Sequence, residues 1–205
     1  MFFFLATALG GLFLYKFVSD EDAMHRAALN LAKTEKEEKI RDAVITPKVQ
    51  KALDAIMYTL NADRVFVIEL HNGKRNNTGL PFRYFDISYE TTNEDSKAVK
   101  IGMQYQNVPT TLYRYPTYLL DKKILIEPIE EVKKIDSDLG KQMEGNGAKY
   151  FAIISLSSNG TPVGYLGVTW CDMDNVPEKS VIAEKLRSYD KVLSQLLDLR
   201  IQMIL

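Results

Sequence analysis

Hydrophobic and polar positions change rhythm several times along this chain, and each change marks a predicted element. Residues 1–18, MFFFLATALGGLFLYKFV, carry no charge before Lys16. A bilayer takes about 17–25 apolar residues in helical form, so this opening predicts a short transmembrane anchor, with Lys16 reaching its ammonium to the headgroups. Two rival readings are a cleaved signal peptide and an apolar helix docked on a partner. The signal peptide lacks a cationic start and a small-residue cleavage site. Lys16, Arg26, Lys33 and Lys36 all lie toward the C-terminal side of the span, which predicts a single-pass protein whose remaining chain faces the cytoplasm.

Residues 19–44 are rich in helix formers and free of Gly and Pro, so they predict a helical linker. Asp22/Arg26, Glu35/Lys39 and Glu37/Arg41 place the acid four residues before the base, the favourable order on a helix surface. Met24, Leu31 and Ile40 form a thin apolar stripe that suits either a solvated stalk or a parallel dimer seam. Thr46 and Pro47 read as the N-cap and first position of a new helix. Val49, Leu53, Ile56 and Leu60 recur along one of its faces, which predicts packing on a sheet.

RVFVIELH at 64–71 is β-branched and aromatic, the pattern of a strand buried on much of both faces. After the turn-rich 73–80 stretch, residues 82–90 alternate in period two. Phe85, Ile87 and Tyr89 share one predicted face, and Tyr84, Asp86, Ser88 and Glu90 the other. The middle of the chain predicts a strand over 99–106, a helix over 110–120, a brief strand over 123–126 and a helix over 128–143, then a Gly145-Asn146-Gly147 turn. Residues 150–156 and 163–170 flank Asn159-Gly160, the strongest short-range hairpin signal. Gly164 and Gly167 predict a bend or a close approach of the helical layer. From Pro177 onward, Ile182, Leu186, Tyr189, Leu193 and Leu196 trace a long amphipathic helix. Its apolar tail, Leu197 to Leu205, suits a dimer, a partner or a membrane surface. This order of elements predicts an α+β fold, an antiparallel sheet flanked by helices, over residues 45–205.

Composition narrows the function classes. The 26 Lys and Arg are interleaved with 27 Asp and Glu for a net charge of −1, with no basic stripe of the kind that binds nucleic acid. Cys171 is the single cysteine, so no intramolecular disulfide forms, in keeping with a reducing compartment. There is no phosphate-loop GxxxxGK, GxSxG, HExxH or paired-cysteine motif. Glu69, His71, Asp86 and Glu90 are the one cluster with the residue types of acid/base or metal chemistry, but the polar edge of a half-exposed sheet predicts the same residues. No catalytic residue or metal ligand is assigned, and a non-enzymatic protein is expected.

The helix leading into RVFVIELHNG, and the later run GAKYFAIISLSSNGTPVGYLGVTW, resemble the GAF domain family over roughly residues 45–200. His71-Asn72-Gly73, Gly79-Leu80-Pro81-Phe82 and Tyr89-Glu90 further resemble a membrane-anchored subgroup of small phage and bacterial proteins. The resemblance implies a GAF/PAS-like sheet and a sensor or binding module, commonly dimeric through its terminal helices, with a ligand pocket between the sheet and the overlying loops. The NKFDE pattern of cyclic-nucleotide-binding members and the features of phytochrome-like members are absent, so the resemblance implies neither a cyclic nucleotide nor a bilin, and the cofactor is left unknown. Asn72, Arg83, Tyr84, Tyr105, Tyr113 and Arg114 are the candidate binding residues. Tyrosine offers a planar body with a hydroxyl and arginine a planar donor fork, a set suited to a small planar or anionic molecule; core and rim packing is the competing role.

Two function classes follow. One is a membrane-tethered, cytoplasm-facing GAF-like binding or signalling module for a small molecule or protein partner, with a homodimer through stalk and C-terminal helix. The other is a non-catalytic phage-type membrane interaction protein, acting in lysis, exclusion or host takeover, that keeps the fold without a small ligand.

Overall fold

The computed structural model describes residues 43–71, 84–158 and 160–202, together with Leu29 and Lys39. The predicted anchor, most of the linker, the 73–81 loop and residues 203–205 lie outside the described residues. Among those described, no helix is long and apolar enough to cross a membrane.

Residues 43–60 are helical and form α1. Val49, Leu53, Ile56 and Leu60 are fully buried, each contributing about 1.5–3 kcal/mol by leaving water. The helix does not restart at Thr46-Pro47, because it is already under way at residue 43. Pro47 sits on the exposed side, where water can meet the carbonyl that its missing N–H leaves unpaired.

RVFVIELH forms β1, Arg64–His71, with the predicted limits. The chain continues through β2 (Tyr84–Thr92), a 3-10 turn at Gly102–Gln104, β3 (Val108–Pro109), α2 (Tyr115–Lys122), β4 (Ile124–Pro128), α3 (Ile129–Ile135) and α4 (Ser137–Gly145). The hairpin of β5 (Tyr150–Ser158) and β6 (Thr161–Trp170) follows, then α5 (Lys179–Gln202). One antiparallel sheet has the order β3-β2-β1-β6-β5-β4. Its two faces build two cores. The first holds the apolar stripe of α1 and Ile182, Leu186, Leu193 and Leu197 of α5 against Val65, Val67, Leu166, Val168 and Trp170. The second gathers Phe66, Phe85, Phe151, Ile153 and Tyr165 beneath Tyr105, Tyr113, Tyr115, Leu119 and Met143.

The strict alternation expected in β2 fails at one point, with a consequence for the site. A bulge shifts the register between Val67 and Ile68, so that Val67 faces Tyr89 but Ile68 faces Ile87, leaving Ser88 as the extra residue. An inserted residue swaps the faces of everything beyond it. Tyr89 therefore joins the α1/α5 core while Phe85 and Ile87 stay on the other side. Glu90, opposite Phe66, falls on the Phe66 side.

The middle of the chain departs furthest from expectation. Residues 99–106 form no strand, because the Ile101 and Gly102 amides donate to the Glu90 carboxylate and the Gln106 amide bonds the Ile87 and Gly102 carbonyls. Side chains satisfy what a ladder would have satisfied. The helix expected over 110–120 begins at Tyr115, with Pro116 in its first turn, where an absent N–H is harmless. The single helix expected over 128–143 is two, broken at Asp136, whose extended backbone and side chain cap α4 through the Leu139 amide.

Gly164 and Gly167 approach β1, not the helical layer. A Cβ on Gly164 would overlap the Ile68 carbonyl oxygen, and one on Gly167 would enter the Phe66 ring. Gly164→Ala is expected to cost about 1–3 kcal/mol by forcing β6 away from β1, read as a lowered urea midpoint. An unchanged midpoint would contradict this close approach.

Candidate functional site

Between the second face of the sheet and its cover lies an apolar cavity of about 70 Å³. The sheet supplies Arg64, Phe66, Ile68 and Leu70 from β1, Phe85 and Ile87 from β2, Phe151 and Ile153 from β5, and Tyr165 and Thr169 from β6. Period two explains the β1 set, since alternate residues share one face. The cover supplies Ile101, Tyr105, Thr110, Tyr113 and Tyr115, Leu119 of α2, Leu139 and Met143 of α4, and Asn146. The Phe66 and Phe151 rings stack 6.5 Å apart, and Tyr115 leans on Phe151 at 5.8 Å.

Two tyrosines close one side. The hydroxyls of Tyr105 and Tyr113 both donate to Gln142 Oε1, at 3.0 and 2.7 Å. Outside them an open groove of about 490 Å³ is lined by Gln104, Val108, Leu112, Gln142 and Gly145, and it shares Tyr105, Tyr113 and Asn146 with the cavity. The two rings and the Gln142 amide thus partition an apolar interior from a polar groove. Burial pushes the Tyr105 phenol up to about 12, helped by neighbouring Tyr113. Tyr113 is raised by the same desolvation. Both stay protonated near neutrality and keep donating.

The cavity wall also holds a charge, that of Arg64. Arg64 is 1% exposed; its Nη2 donates to the Asn146 carbonyl at 2.9 Å and its Nη1 to Thr169 Oγ1 at 3.4 Å. Glu90 Oε1 lies 3.5 Å from Arg64 Nε. Loss of water pulls the guanidinium below its usual range, and the Glu90 charge opposes that. Glu90 is itself held by the Ile101 amide at 2.9 Å and the Gly102 amide at 2.8 Å. This network ties β1, β2, β6 and two loops to the cavity wall.

Of the six residues expected to bind a ligand, the fold brings Tyr105 and Tyr113 together at the cavity. Tyr84 is half-buried at the other end of β2, stacked on His71 at 6.0 Å, and does not line the cavity. Arg114 is exposed at the start of α2; its backbone amide, not its guanidinium, is fixed, by Asp136 Oδ2 at 2.6 Å. Asn72 and Arg83 lie outside the described residues. The acidic cluster does not converge: His71 Nε2 pairs with Asp86 Oδ1 at 3.1 Å, whereas the bulge carries Glu90 to Arg64. No group of three or more His, Cys, Asp or Glu side chains among the described residues is placed to hold a metal ion. Cys171 is half-buried beyond β6, its thiol raised by burial and then by Asp63.

Arg64 escaped sequence reasoning because a cation at the start of an apolar strand reads as a solvent-exposed boundary. A signal was present all the same, since it shares the period-two face of Phe66, Ile68 and Leu70.

No protein-family model matches the sequence, and no curated protein is similar to it. Solved structures are similar in fold. The GAF domain region of a putative membrane protein from Geobacter sulfurreducens PCA is 17% identical with a TM-score of 0.58, covering 78% of this chain and 97% of that one. The blue-light absorbing form of the PixJ GAF domain of Thermosynechococcus elongatus is 13% identical with a TM-score of 0.55, covering 82% and 92%. The GAF domain of a two-component sensor histidine kinase from Bacillus halodurans is 13% identical with a TM-score of 0.51, covering 72% and 92%. At such identities the likeness concerns the fold alone, and the fold of this chain is GAF-like.

Proposed function

We propose that this chain is a GAF-like ligand-binding and signalling module, non-enzymatic, whose small-molecule site is the cavity beneath Tyr105 and Tyr113. The observation that carries the reading is the unfilled apolar space itself. Protein interiors pack to crystal-like density, and a void lined by seven aromatic rings forgoes contacts that a ligand would restore. An apolar pocket with a few convergent polar groups is the usual form of a small-molecule site. The fold's likeness to the GAF domain of a two-component sensor histidine kinase supports the signalling part. The membrane tether through residues 1–18, the cytoplasmic orientation and a homodimer through the terminal helices complete the proposal, supported by the sequence patterns of those segments.

The test uses the full chain, extracted from membranes into detergent and screened by thermal shift against nucleotides and metabolites. Only binders of the native state raise the melting temperature, by about 2.7 kcal/mol of added stability at one hundred times Kd. A reproducible dose-dependent rise, lost on filling the cavity by Ile153→Phe, supports the reading. Silence across a broad library from a folded chain overturns the ligand site, and recovery of the full chain from the aqueous fraction without detergent overturns the tether.

A further inference from the structure

Arg64 has more donors than its surroundings use. A guanidinium carries five N–H groups, yet two of its nitrogens alone have acceptors, the Asn146 carbonyl and Thr169 Oγ1. Its Nε is shut off from water and has no hydrogen-bond partner. Glu90 Oε1, 3.5 Å away, is near enough for charge attraction but takes no hydrogen bond from it, and its carboxylate is committed to the Ile101 and Gly102 amides. A buried donor left unmade forfeits its hydration without return. The same residue is the one charged group lining a cavity that, apart from Thr110, Asn146 and Thr169, is aromatic and aliphatic.

We infer that the cavity takes an aromatic carboxylate, its ring among Phe66, Phe85, Phe151 and Tyr165 and its carboxylate accepting from the unused N–H groups of Arg64. This rests on the reading of the cavity as a ligand site and names the ligand's chemical class. An apolar body is required because the wall offers almost nothing else. A flat one is favoured because the wall is built of rings, which prefer offset or edge contacts with another ring. The anionic end follows from Arg64: charge-assisted bonds to a guanidinium are shorter and about twice as strong as neutral ones. Glu90 keeps its two amide donors and takes no hydrogen bond from Arg64, so the ligand carboxylate displaces none of its bonds.

Size sets the way in. A benzene ring is held by an apolar cavity of about 150 Å³, and this one offers about 70 Å³. The missing space adjoins it, in the groove behind Tyr105 and Tyr113. Releasing the two hydroxyls from Gln142 Oε1 joins the volumes, so ligand entry is coupled to movement of the Gln142-bearing α4.

The experiment titrates the full chain in detergent with benzoate, toluene and acetate by calorimetry, and follows the Arg64 Nε–H by NMR on arginine-labelled protein. Benzoate is expected to bind at least about tenfold more tightly than toluene, acetate not at all, and benzoate alone to shift the Arg64 Nε–H signal. Arg64→Lys assigns that signal and is expected to remove the preference for benzoate over toluene; should that variant not fold, the wild-type shift still decides. Toluene binding as tightly as benzoate overturns this inference and leaves the ligand site standing. Benzoate binding without movement of the Nε–H signal, or no binding by either ring compound while the metabolite screen finds another ligand, overturns the inference alone.

Discussion

Glu90→Leu is expected to destabilise the fold by about 3–5 kcal/mol, the usual cost of removing one partner from a buried ion pair. The Arg64 guanidinium, 1% exposed, would keep its charge in a low-dielectric interior with its counter-ion gone. The Ile101 and Gly102 amides, which donate to Glu90 at 2.9 and 2.8 Å, would lose their acceptor as well. Urea unfolding followed by far-ultraviolet circular dichroism measures the loss. The double variant Arg64→Met with Glu90→Leu is expected to recover part of it, because replacing both charges with apolar side chains removes the uncompensated cation. A single-variant loss within about 0.5 kcal/mol, the range of ordinary surface changes, would show that Glu90 does not hold the Arg64 charge.

Trp170→Ala is expected to cost a similar amount, about 3–5 kcal/mol, through packing instead of charge. Trp170 is fully buried in the core under α1 and α5. Its indole Nε1 donates to the Leu60 carbonyl at 3.1 Å, and its ring meets Tyr150 edge-on at 6.0 Å. One side chain therefore joins the C-terminal end of α1 to the end of the β5–β6 hairpin. Truncation leaves a large cavity and strands a helix-end carbonyl. Trp170→Phe separates the two effects: it keeps most of the volume and is expected to cost about 1–3 kcal/mol from the orphaned carbonyl and the smaller ring. Trp170 is the chain's single tryptophan, so circular dichroism again supplies the signal. Equal losses for the two variants would place the whole effect in the hydrogen bond.

The two variants probe opposite faces of one sheet, and the faces differ in how legible they were. The α1/α5 side follows from pattern: Val49, Leu53, Ile56 and Leu60 form the predicted sheet-facing stripe of one helix, Ile182, Leu186 and Leu193 the predicted apolar face of the other, and all are buried there. The cavity side has a cover of short elements, a 3-10 turn and helices of seven to nine residues, too short for a periodic signal to build up. There the chain reads as a strand over 99–106 and a single helix over 128–143, while the observed elements depend on Glu90 and Asp136 side chains bonding distant amides. The chemistry of Tyr105 and Tyr113 marks them in the sequence, but that they meet at one Gln142 oxygen rests on α4, 29 or more positions away.

By itself the sequence determined β1 to the residue, the β5–β6 hairpin, the buried faces of α1 and α5 and the α+β class, because burial of alternate or every third to fourth residue is a local regularity. The tertiary structure alone decided that Glu90 lies beside Arg64 of the cavity wall. A one-residue bulge at Ser88 reverses the side of the sheet on which Glu90 lies, and nothing in the local alternation marks it. The ion pair beside the cavity is thus a product of strand register, which is set by long-range pairing and not by any single segment.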